Sequence, residues 1–119
     1  MSVWRWHITM ATSILHRVSG CALYAAALLG TAWALSLASG PDAYDLFKLI
    51  LGSFPGKIVM FLFSLAVFYH LAKGVQHLVW DTGRGLDIKS ANAGAVATIA
   101  FTIIATLATW ALAGAMGAL

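Results

Sequence analysis

One side of a long apolar segment has a row of side chains that can do chemistry. At 100° per residue along a helix, these polar and small residues share one side while aliphatic residues cover the rest. They are His70, Lys73, Gly74, His77, Asp81 and Arg84, which we name the polar stripe. A charge at the centre of a bilayer costs about 2.5–3.5 kcal/mol on insertion scales. The stripe is therefore predicted to face protein, a cofactor or water.

His70 differs from the rest of the polar stripe in its depth. It lies ten residues before Trp80, about 15 Å along a helix, and so near the middle of a bilayer. A neutral imidazole there is suited to binding haem iron axially. Gly74, one turn on, would let a flat macrocycle approach the backbone. His77 lies on the same face two turns away and cannot bind the opposite side of the same iron, so a six-coordinate haem would need a ligand from a second chain.

A second polar group lies near the start of the first apolar segment. Ser13 and Arg17 are i and i+4 neighbours on one helix face, and His16 lies one turn from Ser13. A guanidinium beside a hydroxyl is suited to binding a carboxylate or to polarising a carbonyl oxygen. If His70 holds a haem edge-on, its propionates are predicted to reach His16, Arg17 and His77.

Simpler readings of these residues stay open. Arg17 is also compatible with a snorkelling arginine next to a helix-capping serine, and Lys73 with a snorkelling cation. His77 is also compatible with an interhelical hydrogen bond. Asp81 is suited to relaying protons, to pairing with Arg17 or Arg84, or to ending a helix in water.

Composition defines the class of protein. Of 119 residues, 61% are hydrophobic and 9% charged, with a mean hydropathy of +0.89, whereas soluble domains have about 25% charged residues. The chain is thus predicted to be an integral membrane protein. A net charge of +3 without a basic patch argues against nucleic-acid binding. The single cysteine, Cys21, excludes an internal disulfide and is expected to be a small packing residue.

The apolar segments predict an all-α fold with three transmembrane helices in a single domain. The expected spans are residues 13–39, 57–80 and 91–117, preceded by a short interfacial segment, 1–12, with Trp4, Arg5 and Trp6. Residues 42–56 are expected to form a loop with a short amphipathic piece, 44–51. The third span is rich in small residues, so it is predicted to pack against a neighbouring helix.

Positive charges near the ends of the spans predict the orientation. Four basic residues, against two in the loop between the first spans, place the N-terminus on the cytoplasmic side: Arg5, Arg17, Arg84 and Lys89 against Lys48 and Lys57.

The two polar groups resemble the larger cytochrome b membrane-anchor subunit of succinate dehydrogenase, respiratory complex II. The similarity rests on the run Ser-Ile-Leu-His-Arg-Val-Ser-Gly at 13–20, on His70 and on the run His-Leu-Val-Trp-Asp-Thr-Gly at 77–83. The resemblance implies that Ser13 and Arg17 contact ubiquinone, that Asp81, with Trp80 beside it, borders the quinone pocket, and that His70 is the axial ligand of haem b. It also implies that His16 and Arg17 lie by the propionates, where the geometry adds Gly74 and His77.

The same resemblance implies partners and a location. The partners are a flavoprotein, an iron–sulfur protein and a second small anchor subunit, which would pack with this chain into a helical bundle and share one haem b. The chain would act in electron transfer of the tricarboxylic acid cycle and respiratory chain, in the bacterial inner membrane or the mitochondrial inner membrane, and would not be catalytic alone. Three alternatives remain: the anchor of a quinol:fumarate reductase, a small proton-conducting protein that uses the stripe as a relay, and a structural scaffold.

Overall fold

Four helices joined by short links make up the part of the chain that the structure, a computed structural model, describes, residues 7–117. They are α1 (Ile8–Ala38), α2 (Pro41–Gly52), α3 (Phe54–Asp81) and α4 (Ile88–Ala115). Three of them, α1, α3 and α4, have 31, 28 and 28 residues and are long and apolar enough to cross a membrane. The prediction of an all-α membrane protein with three long apolar helices is therefore confirmed. Trp4, Arg5 and Trp6 of the predicted interfacial segment lie outside the described residues.

Local capping makes α3 and α4 begin before the expected spans. Ser53 precedes α3, and its hydroxyl accepts a hydrogen bond from the Gly56 N–H, while a proline occupies the first turn. The Asp87 carboxylate accepts from the Ser90 N–H at 2.9 Å at the start of α4. These side chains satisfy N–H groups that have no partner within the helix. The hydrogen bonds from Ser90 also hold the pKa of Asp87 below its ordinary value.

The segment expected to be a loop is largely helical. Gly40 has φ 105°, a left-handed conformation that suits glycine, and Pro41 occupies the first position of α2. The 12 residues of α2 extend about 18 Å, too short to cross a bilayer. Tyr44 and Phe47 lie half-buried on its inner face. On its outer face, a hydrogen bond and the charge of Asp45 raise the pKa of Lys48, whose Nζ lies 2.8 Å from Asp45 Oδ1.

Helix α3 is central and packs against the other three helices. Its contact with α4 includes small and hydroxylated side chains, which let two helices approach closely, and two aromatic pairs, Phe61–Trp110 and Phe68–Phe101. The buried residues of α4 are Ala95, Thr98, Thr102 and Thr106. The prediction that the last helix packs against a neighbour is confirmed, and the neighbour is α3.

Candidate functional site

The structure divides the polar stripe between two sides of α3. Lys73 is 1% exposed and lies among residues that face α1 and α4. Together with Thr12, Tyr69, Gln76 and Trp80 it forms what we name the buried network. The other members within α3, namely His70, Gly74, His77 and Asp81, lie on the adjoining side. Arg84 is exposed and comes after the end of α3.

The buried network binds the ammonium group of Lys73 inside the chain. Lys73 Nζ donates to Gln76 Oε1 at 2.7 Å and to Thr12 Oγ1 at 3.3 Å. It also lies 4.9 Å from the centre of the Trp80 ring, a cation–π distance. Lys73 is thus enclosed by its own chain.

Further contacts of the buried network join α1, α3 and α4. The Tyr69 hydroxyl donates to the Thr12 carbonyl at 2.6 Å, and Gln76 Nε2 donates to the Ala91 carbonyl at 3.4 Å. The absence of a side chain at Gly94 leaves room for the Gln76 amide, which a Cβ at Gly94 would strike. These contacts hold three helices in register beside the predicted site. Sequence analysis assigned no role to Thr12, Tyr69 or Gln76.

Three imidazoles from α1 and α3 come together on the adjoining side. The His16 and His70 rings stack, with centroids 4.2 Å apart and an interplanar angle of 29°. The His77 ring meets His16 edge-on at 5.0 Å and stacks on Trp80 at 5.1 Å. We name His16, His70 and His77 the histidine face. The two polar groups, separate in sequence, thus form one surface.

Ser19, which sequence analysis did not single out, fixes the proton on His70. Its hydroxyl donates to the His16 carbonyl at 2.8 Å, so its oxygen is left to accept from His70 Nδ1 at 3.1 Å. This arrangement favours the His70 tautomer with Nδ1–H and a lone pair on Nε2. The signal was available, since Ser19 lies three residues after His16 on the same helix face. Gly20 permits this approach, because a Cβ there would lie 3.3 Å from His70 Cε1.

The histidine face leaves polar and open positions. His16 Nε2 is buried and has no hydrogen-bond partner among residues 7–117. Beside Gly74, no described atom lies within 4 Å of where a Cβ would stand. The imidazoles contact one another through their rings, and in the described part of the chain no three His, Cys, Asp or Glu side chains converge on a metal-ion site. The histidine face therefore has open space beside Gly74 and a buried nitrogen without a hydrogen-bond partner, but among the described residues it has no cluster of ligands for a metal ion.

The residues predicted to bind quinone contact one another less closely than the three imidazoles do. Ser13 is half-buried, while Arg17 and Asp81 are exposed. None of the three makes a side-chain hydrogen bond or an ion pair with another of the described residues, so the structure does not join Arg17 to Asp81. The indole N–H of Trp80 donates to the Gly85 carbonyl at 2.9 Å. Trp80 therefore presents its ring, not its N–H, to neighbours.

Comparison with known proteins places this arrangement in a family. The family described as succinate dehydrogenase/fumarate reductase transmembrane subunit matches residues 1–109. The succinate dehydrogenase cytochrome b556 subunits of Paracoccus denitrificans and Rickettsia felis are 32% and 35% identical over 109 and 110 residues, which cover 92% of this chain and 84% and 86% of theirs. The mitochondrial cytochrome b560 subunit of Mus musculus is 31% identical over 108 residues, 89% of this chain and 64% of that protein.

The matched range includes both polar groups and the whole histidine face. It also includes α1, α2, α3 and most of α4. The chain belongs to the family of succinate dehydrogenase/fumarate reductase transmembrane subunits.

Proposed function

We propose that the chain is the membrane anchor of a succinate:ubiquinone oxidoreductase and binds haem b at an interface with a second anchor subunit. The observation that carries this proposal is the 3.1 Å hydrogen bond between Ser19 Oγ and His70 Nδ1, which, with the Ser19 hydroxyl donated to the His16 carbonyl, leaves the Nε2 lone pair for a metal. Histidine ligands typically donate their second ring N–H to such a partner. The cytochrome b names of the relatives support the same cofactor.

The residues of the histidine face fit a haem. His70 would be the axial ligand, since a lone pair in the ring plane is not obstructed by the stacked His16 ring. The buried, unpartnered His16 Nε2 would donate to a propionate, and Arg17 and His77 would offer further donors. The open space at Gly74 would accept the edge of the macrocycle. When bound, haem b would store one electron, with a potential set by its ligand and burial.

The second axial ligand is proposed to come from the second anchor subunit. His16 and His77 lie on the same side as His70, with the His16 ring stacked on His70 and the His77 ring edge-on to His16. Neither is placed across a gap from His70 Nε2. An interface between two anchor chains would complete the site and would cover side chains that a single chain leaves exposed.

We assign Ser13, Arg17, Trp80 and Asp81 to the ubiquinone-reduction site. The Arg17 guanidinium has no partner in the described part of the chain and would donate to a quinone oxygen as negative charge develops there. Ser13, one helical turn away, would position the same oxygen. The Trp80 ring would form a wall, and the exposed Asp81 carboxylate would pass protons from water to the reduced quinone.

The remaining partners follow from the same proposal. A flavoprotein would oxidise succinate and an iron–sulfur protein would deliver electrons to the quinone, so this chain would hold only part of an active site. The complex would lie in the bacterial inner membrane, or its mitochondrial equivalent, with the N-terminus on the cytoplasmic or matrix side. The family includes both succinate dehydrogenase and fumarate reductase subunits, so the direction of catalysis is the nearest alternative.

A reduced-minus-oxidised difference spectrum of the purified complex tests the proposal. We expect a b-type haem band that His70→Ala abolishes, while His7→Ala, which alters an exposed histidine that is not part of the histidine face, leaves it intact. Arg17→Ala should lower succinate-driven quinone reduction with the haem band retained. Lys89→Ala, which removes an exposed cation from the first turn of α4, is the matched control.

Three results would overturn these assignments. A complex without any b-type band would refute the haem proposal, and proton conduction by the chain alone in vesicles would favour the relay instead. Unchanged quinone kinetics in Arg17→Ala would show that the quinone pocket lies elsewhere. Comparing succinate:quinone with quinol:fumarate rates in the same preparation distinguishes the two directions.

A further inference from the structure

A large cavity lies at the opposite end of the helices from the histidine face. It has a volume of about 610 Å³ and is enclosed by the second half of α1, by α2, and by the ends of α3 and α4 next to α2. Its walls include Trp33, Phe47 and Trp110, and Lys48 and Lys57 stand among them. Ligand sites of about 300–1,000 Å³ are typical of proteins, so this cavity is large enough to hold part of a sizeable molecule.

A second cavity of about 490 Å³ continues the first towards the middle of α3. The two share six lining residues, namely Trp33, Phe47, Leu51, Met60, Ser64 and Thr109. From Lys57 to Phe68, the deepest of the α3 residues that line them, there are eleven residues, about 16 Å of helix. That length matches one leaflet, about half of the 30 Å hydrocarbon core. We name the joined cavities the leaflet slot.

The interior of the leaflet slot offers little to a polar ligand. The Trp110 indole N–H donates to Ser64 Oγ at 3.2 Å, and Ser64 in turn donates to the Met60 carbonyl at 2.8 Å. The Thr109 hydroxyl donates to the Ala105 carbonyl at 2.8 Å. These donors are used within the protein, and apart from the Trp33 indole the other side chains that line the deeper cavity are apolar, so its walls present mainly hydrocarbon to whatever occupies it. A flexible alkyl chain fits this interior better than a carbonyl-bearing ring, which needs hydrogen-bond donors.

The mouth of the leaflet slot is positively charged. Asp45 pairs with Lys48 at 2.8 Å and offsets its charge. Lys57 makes no ion pair with any other residue in 7–117, and it lies in the first turn of α3, where the positive end of the helix dipole disfavours a cation. An anion at the mouth would relieve that unfavourable placement. Tyr44 and Trp33 stand close by as aromatic residues of the kind that favour the headgroup layer.

We infer that the leaflet slot binds one anionic phospholipid, with an acyl chain between α1 and α3 and the phosphate at Lys57 and Lys48. The length of the slot, its apolar interior and its cationic mouth each match one part of such a lipid. Gly30 lies on the wall of the deeper cavity, and no described atom lies within 4 Å of where its Cβ would stand. That absence of a side chain keeps the slot open where the chain would pass.

Native mass spectrometry of the delipidated complex tests this inference, with phosphatidylglycerol and phosphatidylcholine as probes. We expect one phosphatidylglycerol to bind in preference to phosphatidylcholine. Lys57→Gln should weaken binding about fivefold, the equivalent of the ~1 kcal/mol that one lysine contributes near an anionic membrane surface. Lys48→Gln should have a smaller effect, because Asp45 already offsets that charge.

Gly30→Leu should fill the leaflet slot and abolish the bound lipid. Ala27→Leu places the same side chain at an exposed position of α1 that does not line the slot and should not. A haem band like that of the wild type shows that each variant is folded and assembled. Equal binding of the two lipids, or retention of phosphatidylglycerol in Gly30→Leu, would overturn the inference. A quinone or a segment of a neighbouring subunit cross-linked within the slot of the wild-type complex would overturn it as well.

Discussion

Replacing Ser19 with alanine tests the proposed haem site directly, because Ser19 fixes which nitrogen of His70 carries the proton. Ser19 is 6% exposed, and its oxygen lies 3.1 Å from His70 Nδ1. In Ser19→Ala a methyl group faces that N–H. An unsatisfied buried donor costs about 1–3 kcal/mol. The alternative, a shift of the proton to Nε2, removes the lone pair that iron needs.

That cost translates into haem affinity. Since about 1.4 kcal/mol corresponds to a factor of ten, we expect roughly 5- to 150-fold weaker haem binding in Ser19→Ala. The range contains the roughly 10–100-fold that loss of an outer-shell partner costs at metal sites. The hydrogen bond also makes the imidazole more basic, which favours ferric iron. Its loss should therefore raise the midpoint potential of any haem that remains.

Haem content per complex and a redox titration are the measurements. Ser36→Ala is a matched control, because the Ser36 hydroxyl also donates to a carbonyl three residues earlier in α1, at 2.7 Å, without a histidine beside it. Ser36→Ala should keep the haem content and potential of the wild type. Equal haem loss in both variants would mean that α1 is destabilised generally.

A wild-type haem content and an unshifted potential in Ser19→Ala would refute the tautomer reasoning. In that case the Nδ1–H of His70 would find another acceptor in the assembled complex. The proposed ligand role of His70 would then rest on the family and on its depth alone.

Three further predictions concern the buried network. Tyr69→Phe removes the 2.6 Å hydrogen bond to the Thr12 carbonyl and should lower the free energy of unfolding by about 0.5–1.5 kcal/mol. Thermal denaturation measures this loss, and the haem spectrum should be unchanged. Gly94→Ala should lower the melting temperature, because the new methyl group displaces the Gln76 amide; an unchanged melting temperature would show that Gln76 moves away freely. Lys73→Met should lower the haem midpoint potential, because removing a buried cation near the histidine face disfavours the added electron. Lys73→Arg keeps the charge and should preserve the potential. Identical potentials in Lys73→Met and the wild type would contradict a charged Lys73.

The three long helices could be predicted from the sequence because long uncharged runs have few other stable environments. The boundaries of these helices were harder to predict. Placing the start of the second span at Lys57 treats the first charge as the edge of the helix, whereas Ser53 caps α3 earlier and the lysine lies inside the first turn. The intervening segment was expected to be a loop because Gly40 and Pro41 break α1, but the same proline is well suited to start α2.

The candidate site could be predicted only in part, since helical periodicity gives angles within one helix and not the docking of its neighbours. Lys73 and His70 are about 60° apart around α3, close enough to look like one stripe. Where α1 packs decides that Lys73 meets Thr12 while His70 meets Ser19. Nothing in the spacing of α3 residues specifies that choice.

The difference between the two sides of α3 indicates which polar residues of a membrane helix mark a site. In the bilayer core a polar group has no water to bond, so it needs a protein or ligand partner. Lys73 finds two acceptors and an aromatic ring within its own chain, and its burial is accounted for by structure alone. His16 Nε2 finds none in the described chain, and Ser19 leaves the His70 Nε2 lone pair outward. Groups left unsatisfied by a folded chain call for a partner from outside it, and the haem that we propose between two anchor subunits would satisfy both nitrogens at once.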